Sequence, residues 1–396
     1  KFDAIIAEDA LLNYARLSYE IGNSYESPSA VLQRFVATYP KNTAVNEIEE
    51  LLLDSYVNSQ NFDAALALLD KFSSSDYDEA RQIVSYLKAT SLYKSGQFAA
   101  AIEYYTAAIK AFKNPLIIAN ATYWQAQAYF ELKEYTLALE LFQEAKPLPK
   151  FPSLGAAKTI DYHSGYCYFQ LKNYPAAITA FERFLQQAQT VKYERDARLR
   201  LGDSHFVLKA YWPAMDQYEK VRTLAPQRAG YAMYQQALSY GFVNRLDQKI
   251  ELLKALIAQF PSSSLVDDCQ YELALSYTKK GDNEAAIAAY DVIIRQAKES
   301  SYRSKALLNK GLIQYNNGAS ALADSTLKNL VQSYPNEALA QQALQTVKEI
   351  AIEENTIADF SAWLKEIEMA SIPDLQLEKA AFDAIERLLN DGKKKA

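Results

Sequence analysis

A helix-breaking segment returns through this sequence at an almost constant interval. It is clearest at Gly281, Asp282 and Asn283, which separate two stretches whose apolar residues fall three and four apart. The last position of this break recurs every 35 to 39 residues at Phe62, Phe98, Tyr135, Tyr174, Tyr211, Leu246, Asn283 and Ser320. Each helical hairpin has too little apolar surface to be stable alone, so the period predicts a stack of repeated hairpins.

Small residues occupy a fixed position in each half of the repeat. Three residues after the break, the second helix carries Ala65, Ala101, Ala138, Ala177, Ala214, Ala286 and Ala323, and the exception is Lys249. Twelve residues earlier, the first helix carries Leu53, Ala89, Ala126, Gly165, Gly202, Ala237, Ala274 and Gly311. Small residues that face each other allow two helices to approach closely, so these positions are predicted to be packing constraints.

An aromatic residue three places after the small first-helix position completes the pattern. It is present as Tyr19, Tyr56, Tyr129, Tyr168, Tyr240 and Tyr277, and it is replaced by Leu92, His205 and Gln314. A closing proline occurs at Pro40, Pro226, Pro261 and Pro335. Over residues 10–335 these positions resemble the tetratricopeptide repeat, a helix-turn-helix unit. The resemblance implies an all-α, right-handed superhelical solenoid of about nine to ten hairpins with a C-terminal capping helix.

The repeat predicts one solenoid of about nine hairpins over residues 1–335 instead of several globular domains. Its first hairpin is atypical, as expected for a terminal unit that lacks a neighbour on one side. Three prolines predict an enlarged loop near residues 146–156, and the alternative is a joint where the superhelix changes pitch. Residues 336–392 are predicted to form a degenerate tenth hairpin and a capping helix, and residues 393–396 a basic tail. The apolar stripe of the capping helix is Leu377, Ala381, Ile385 and Leu388.

The charge balance argues against nucleic acid as a partner. The chain has 42 basic and 48 acidic residues, a formal net charge of −6, whereas phosphate binding needs a concentrated cationic surface. No apolar run approaches the roughly 20 residues of a membrane span, and no signal peptide opens the chain. Because Lys1 is not an initiator methionine, we expect a processed or partial chain, which leaves open a membrane anchor ahead of Lys1.

Motifs for catalysis, cofactors or metals are not recognisable in the sequence. His163 and His205 are the only histidines and lie in different units, and His205 takes the aromatic position, which favours a packing role. No Cys or His pair has zinc-ligand spacing, and no phosphate-binding glycine loop, GxSxG or HExxH occurs. Cys167 and Cys269 are 102 residues apart, which favours two buried free thiols. We therefore expect no catalytic, cofactor-binding or metal-binding residues.

The resemblance also implies that the first helices line a concave groove. Four positions on each first helix point into this groove. They are the residues three before, one after, four after and five after the small position. In this sequence they are rich in tyrosine and nearly uncharged, and rings with polar tips anchor peptides at low entropy cost. The alternative is that several rings only pack between neighbouring first helices. The candidate protein-binding residues are Tyr86, Tyr93, Tyr123, Gln127, Phe130, Tyr162, Tyr166, Phe169, Phe206, Tyr234, Phe242 and Tyr271.

Related repeats that hold the acidic C-terminal tail of a chaperone carry Lys and Asn one helical turn apart on the first helix. The corresponding pairs here are Tyr86 with Thr90 and Tyr123 with Gln127, so no such clamp is expected.

These features indicate a noncatalytic scaffold that binds a peptide or a segment of a partner protein. The unit ends RFVATYP, LIAQFP and LVQSYP resemble those of bacterial envelope proteins of the Tol-Pal accessory and outer-membrane assembly lipoprotein type. That resemblance implies a periplasmic or outer-membrane-associated location. The alternatives are a cytoplasmic adaptor or peptide-sensing regulator, and a substrate-presenting module of a larger enzyme whose catalytic domain is missing.

Overall fold

A computed structural model describes residues 2–72, 74–187, 191–296 and 300–367. These residues contain twenty α-helices in ten consecutive hairpins and no β-strand, which confirms the all-α prediction. The first ten helices are α1 (Phe2–Glu20), α2 (Pro28–Thr38), α3 (Val45–Asn58), α4 (Phe62–Leu69), α5 (Asp78–Lys94), α6 (Phe98–Lys110), α7 (Pro115–Glu131), α8 (Tyr135–Ala145), α9 (Ile160–Gln170) and α10 (Tyr174–Leu185). The others are α11 (Val191–Val207), α12 (Tyr211–Leu224), α13 (Gly230–Phe242), α14 (Leu246–Gln259), α15 (Val266–Lys280), α16 (Asn283–Gln296), α17 (Arg303–Asn316), α18 (Ser320–Ser333), α19 (Ala338–Glu353) and α20 (Ile357–Glu366).

The chain divides into two compact units, residues 1–204 (unit 1) and 205–396 (unit 2), and the division falls within α11. One repeat domain over residues 1–335 stays a prediction. The helices α19 and α20 occupy the segment where the degenerate tenth hairpin is predicted. The capping helix with Leu377, Ala381, Ile385 and Leu388, and the basic tail 393–396, lie outside the described residues.

The hairpin turns from α3–α4 to α19–α20 share one backbone geometry. In each, the residue two places before the second helix has a positive φ. At Gly281 this φ is 80°, and the amide of Asp282 donates to the carbonyl oxygen of Tyr277 at 3.0 Å, which closes the first helix. Lys133 and Lys172 hold the same conformation without being glycine, at a cost of roughly 1 kcal/mol each. The break is therefore a shared geometry that glycine marks in only some units.

The core of the eight hairpins from α3–α4 to α17–α18 contains a large side chain four residues after the small position of the second helix. This second-helix core position was not singled out from the sequence, although its spacing from the alanine is constant. Its occupants have no exposed surface: Leu69, Tyr105, Phe142, Phe181, Tyr218, Leu253, Tyr290 and Leu327. The small first-helix residues lie opposite, and Ala89, Ala126, Ala237 and Ala274 are likewise fully buried. The sequence prediction that the small positions are packing constraints is thus confirmed.

Two glycines show how closely the paired helices approach. A Cβ atom at Gly165 would lie 2.9 Å from Cδ1 of Phe181, and one at Gly311 would lie 2.4 Å from Cδ2 of Leu327. Both distances are shorter than carbon atoms tolerate without displacement. The second-helix core residue therefore fills the space that the glycine leaves.

Replacement of Gly311 by alanine is expected to lower the free energy of unfolding by about 1–3 kcal/mol. Alanine has the better helix propensity, but its methyl group would press on Leu327, which is fully buried and has little room to move. Urea unfolding followed by circular dichroism measures the change. Gly155→Ala is the control, because no heavy atom lies within 4 Å of a Cβ there. A Gly311→Ala protein as stable as the wild type would contradict this packing.

Candidate protein-binding site

Aromatic rings on the first helices of unit 1 contact one another from helix to helix, and we call this set of rings the first-helix face. It is built on α5, α7, α9 and α11, and each helix contributes a ring that contacts a ring of the next. All three pairs meet edge to face, at interplanar angles of 62° to 69°, a geometry that contributes about 0.5–1.5 kcal/mol per pair. The pairs and their centroid distances are Tyr93–Trp124 (5.2 Å), Phe130–Tyr166 (5.4 Å) and Tyr162–Tyr193 (5.0 Å).

Most of the predicted binding residues are partly buried. A ring in this position packs on one side and remains accessible on the other, so it is held in place before any partner arrives. Phe242 is more exposed than these residues, with 62% of its surface accessible to solvent. The partly buried members are Tyr86, Tyr93, Phe130, Tyr162, Tyr166, Phe169, Phe206, Tyr234 and Tyr271.

Tyr123 and Gln127 are core residues, contrary to the prediction that they point into a groove. They are 4% and 5% exposed, and the Nε2 of Gln127 donates to the Tyr123 hydroxyl at 2.8 Å. The Tyr123 ring packs on Trp124 and Phe142, and the enlarged loop after α8 adds Phe151, itself 3% exposed, at 6.1 Å. We therefore remove Tyr123 and Gln127 from the candidate binding surface.

Four first-helix rings pack against the aromatic residue that begins the second helix of their own hairpin. Each pair meets at the hairpin turn with interplanar angles of 66° to 76°. These rings therefore stabilise the turn, as the packing alternative predicts, and their contribution to a binding surface stays a prediction. The pairs are Tyr93–Phe98 (5.2 Å), Phe130–Tyr135 (5.7 Å), Phe169–Tyr174 (5.7 Å) and Phe206–Tyr211 (5.6 Å).

Tyr93 and Tyr162 of the first-helix face are neutral over the physiological pH range. Burial raises the pKa of Tyr93 to about 12. Burial, with the nearby Asp196 carboxylate, also raises the pKa of Tyr162, whose hydroxyl donates to Oδ2 of Asp196 at 2.8 Å. The hydroxyl proton of Tyr162 is therefore already engaged by Asp196.

His163 lies within this aromatic cluster, and sequence reasoning had not assigned it a contact. Its ring stacks on Phe142 at 5.8 Å and 22°, and it meets Tyr123 and Tyr162 edge to face. Nδ1 is buried without a hydrogen-bond partner, and burial lowers the pKa of His163 to about 4. At neutral pH His163 is an uncharged packing residue.

Two kinds of site, a metal centre and a membrane span, are not found in the described residues. In residues 2–72, 74–187, 191–296 and 300–367, no cluster of three His, Cys, Asp or Glu side chains could hold a metal ion. None of the described helices has both the length and the apolar character that a membrane span needs. Cys167 and Cys269 are buried and free, as predicted, and burial raises the pKa of each thiol to about 12.

Comparison with known families agrees with this repeated architecture. One family model of the tetratricopeptide repeat matches residues 86–153, 165–229 and 234–301, more than half of the chain, and a second matches residues 305–337. The chain belongs to the tetratricopeptide repeat family. The matched ranges contain α6–α8, α10–α12, α14–α16 and α18 completely and α5, α9, α13 and α17 in part, so the hairpins that carry the candidate site are tetratricopeptide repeats.

Several solved structures resemble parts of this tetratricopeptide repeat protein, whereas no curated protein matches it in sequence. The C-terminal part of a tetratricopeptide repeat-containing protein from Cytophaga hutchinsonii is 16% identical, with a TM-score of 0.49, over 64% of this chain and 98% of that one. MamA is 21% identical, with a TM-score of 0.40, over 46% and 92%. YrrB, described as having an unusual peptide-binding site, is 19% identical, with a TM-score of 0.40, over 48% and 93%. The family assignment stands on the repeat matches.

Proposed function

We propose that this protein is a noncatalytic scaffold that binds a peptide or a partner protein segment on the first-helix face. The observation that carries the proposal is the set of partly exposed rings on α5, α7, α9 and α11, each of which contacts a ring of a neighbouring first helix. Aromatic side chains are enriched among the residues that dominate binding free energy at protein interfaces. Rings that are already packed against one another lose little further freedom when a partner covers them.

The rings of this face differ in what they can give to a partner. Tyr166 is partly exposed and contacts Phe130 and Tyr162, so it adds accessible area at the centre of the surface. Tyr123 is covered by Phe151 and gives stability instead. Substitution of these two tyrosines therefore separates a binding role from a packing role.

Tyr166→Ala is expected to weaken binding of a selected peptide by about thirtyfold, the loss typical of an interface ring worth about 2 kcal/mol. The probe is a synthetic peptide chosen by selection of a displayed random heptapeptide library on the purified wild-type protein. Fluorescence anisotropy measures its dissociation constant. Binding should change little with salt, because the face is neutral.

Two controls define the expected pattern. Tyr25→Ala, at a tyrosine that is 95% exposed, should alter neither binding nor unfolding. Tyr123→Ala should lower the unfolding midpoint at least as much as it alters binding. A selected peptide whose affinity survives Tyr162→Ala and Tyr166→Ala alike would rule out the first-helix face of unit 1 as its site.

We also propose a location in the bacterial cell envelope, of the Tol-Pal accessory or outer-membrane assembly lipoprotein type. Its support is the resemblance of the unit ends RFVATYP, LIAQFP and LVQSYP. The coding sequence ahead of Lys1 tests it, since a signal peptide or a lipidation cysteine is expected there. Translation that starts a few codons before Lys1 without either signal would contradict an envelope location.

A further inference from the structure

The second-helix small position departs from alanine in unit 2, at Lys249 on α14. This residue is only 8% exposed, although lysine is normally a surface residue. Gly241 on α13 provides the space for it, because a Cβ there would lie 3.0 Å from Cδ and 3.3 Å from Nζ of Lys249. The side chain thus leaves the second helix alongside α13, and its Nζ donates to Oε2 of Glu272 on α15 at 2.6 Å.

This ion pair is hard to explain as packing. The side chains of Lys249 and Glu272 are 9% and 25% exposed. The lysine has therefore lost most of its contact with water, and one carboxylate replaces it. A buried pair seldom stabilises a protein more than apolar residues of similar size do, and the other units use alanine here. An ammonium group has three N–H donors, and the bond to Glu272 uses one of them. Lys249 is therefore equipped to donate to a second acceptor.

The pair lies in a cavity of about 530 Å³ that is built entirely from unit 2. Its walls are apolar, and they include Phe206 and the 62% exposed ring of Phe242, whose centroids are 5.6 Å apart. Leu238 and Leu275 extend the apolar lining, and the exposed Lys279 adds a second cation. The lining therefore combines two lysines and one glutamate, a local excess of positive charge in a chain whose net charge is −6.

We propose that this cavity binds an aspartate or glutamate side chain next to an apolar residue within an extended segment of a partner protein. This inference rests on the proposed scaffold function and names the class of partner. The carboxylate accepts hydrogen bonds from Lys249 and Lys279, and charge-assisted bonds of this kind are stronger than neutral ones. The neighbouring apolar side chain packs on Phe206 and Phe242.

The depth of Lys249 favours a side-chain carboxylate over a C-terminal one. An aspartate or glutamate side chain reaches inward while its backbone stays at the rim of the cavity, where the peptide groups keep their water. A C-terminal carboxylate would have to bring its own backbone beside the largely buried lysine. The burial of its peptide groups would leave them without partners, which is costly.

The test selects a displayed heptapeptide library, with both peptide ends blocked by linkage, on the wild type and on Lys249→Ala. The substitution installs the residue that the other units carry, so the fold is expected to persist, and circular dichroism and the melting midpoint check this. Peptides from the wild type should be enriched in Asp or Glu beside an apolar residue. A synthetic peptide of that kind should bind Lys249→Ala about tenfold more weakly or worse. A peptide with Gln in place of the acidic residue should show the same loss of affinity for the wild-type protein.

Two further variants isolate the cause. The double variant Lys249→Ala, Glu272→Gln should bind the peptide at least tenfold more weakly than the wild type does. This result would show that the loss does not come from repulsion by the unpaired Glu272. Lys254→Ala removes an exposed lysine from the same helix, and binding should stay within twofold of the wild type.

Three results would overturn the proposal. The first is an acidic preference that persists in Lys249→Ala. The second is that the synthetic peptide binds in a Lys249-dependent way only when its C-terminal carboxylate is free, and not when that end is amidated. The third is a set of selected peptides without acidic residues that depend on Tyr166 and not on Lys249, which would leave the scaffold function standing. Selection of no peptide at all would overturn both the partner class and the scaffold function.

Discussion

Replacement of Phe181 by alanine is expected to destabilise unit 1 by about 3–5 kcal/mol, the usual cost of a large aromatic cavity. Phe181 has no exposed surface and occupies the second-helix core position of the α9–α10 hairpin. Its ring fills the space over Gly165 and lies 6.3 Å from the ring of Tyr162 on the first-helix face. The truncation therefore removes core volume directly beneath the candidate binding surface.

Equilibrium urea unfolding followed by circular dichroism measures this loss. Because repeat arrays can unfold in stages, the transition of the repeats that contain Phe181 should shift most. Phe112→Ala is the matched control, at a phenylalanine of the same unit that is 79% exposed, and its effect should stay within about 0.5 kcal/mol. Gly165→Ala in the Phe181→Ala background should restore part of the stability, since its methyl group enters the cavity. Equal midpoints for Phe181→Ala and Phe112→Ala would refute this core.

Acidification from pH 7.5 to 4.5 is expected to destabilise unit 1 through His163, by about 3 kcal/mol at most. Burial lowers the pKa of His163 to about 4 in the folded protein, against about 6.5 in an unfolded chain. The unfolded state therefore takes up a proton first as the pH falls. Stability is unaffected above pH 6.5 and is lost between about pH 6.5 and 4, where folding excludes the proton from His163.

His163→Phe isolates this contribution from that of the carboxylates, which also titrate on acidification. Phenylalanine keeps the stacking on Phe142 and removes the buried Nδ1 that has no hydrogen-bond partner. Unfolding midpoints of the two proteins are compared at pH 7.5, 6.0 and 4.5. The wild type should lose more stability than the variant as the pH falls. Parallel losses in both proteins would mean that His163 is hydrated and titrates normally.

The repeating features of the fold follow from the sequence because they are local. Spacing alone places Phe98 and Tyr135 at the register position that follows the break. In the structure each is the first residue of a second helix. Helix periodicity, small residues and turn residues act over fewer than about 20 residues, so a single sequence carries them. The second-helix core position, as at Tyr105 and Tyr290, has the same local period and could have been recognised in the same way.

Contacts between residues far apart in the chain needed the tertiary structure. Tyr123 matches the register of an exposed groove residue, yet it is buried, and one of the rings that pack on it, Phe151, lies in a loop 28 residues later. Lys249 is visible in the sequence as a break in the alanine pattern, but its pairing with Glu272 depends on how α13, α14 and α15 pack. Sequence spacing determines which face of a helix a side chain occupies, whereas its burial and charge partner depend on neighbouring elements.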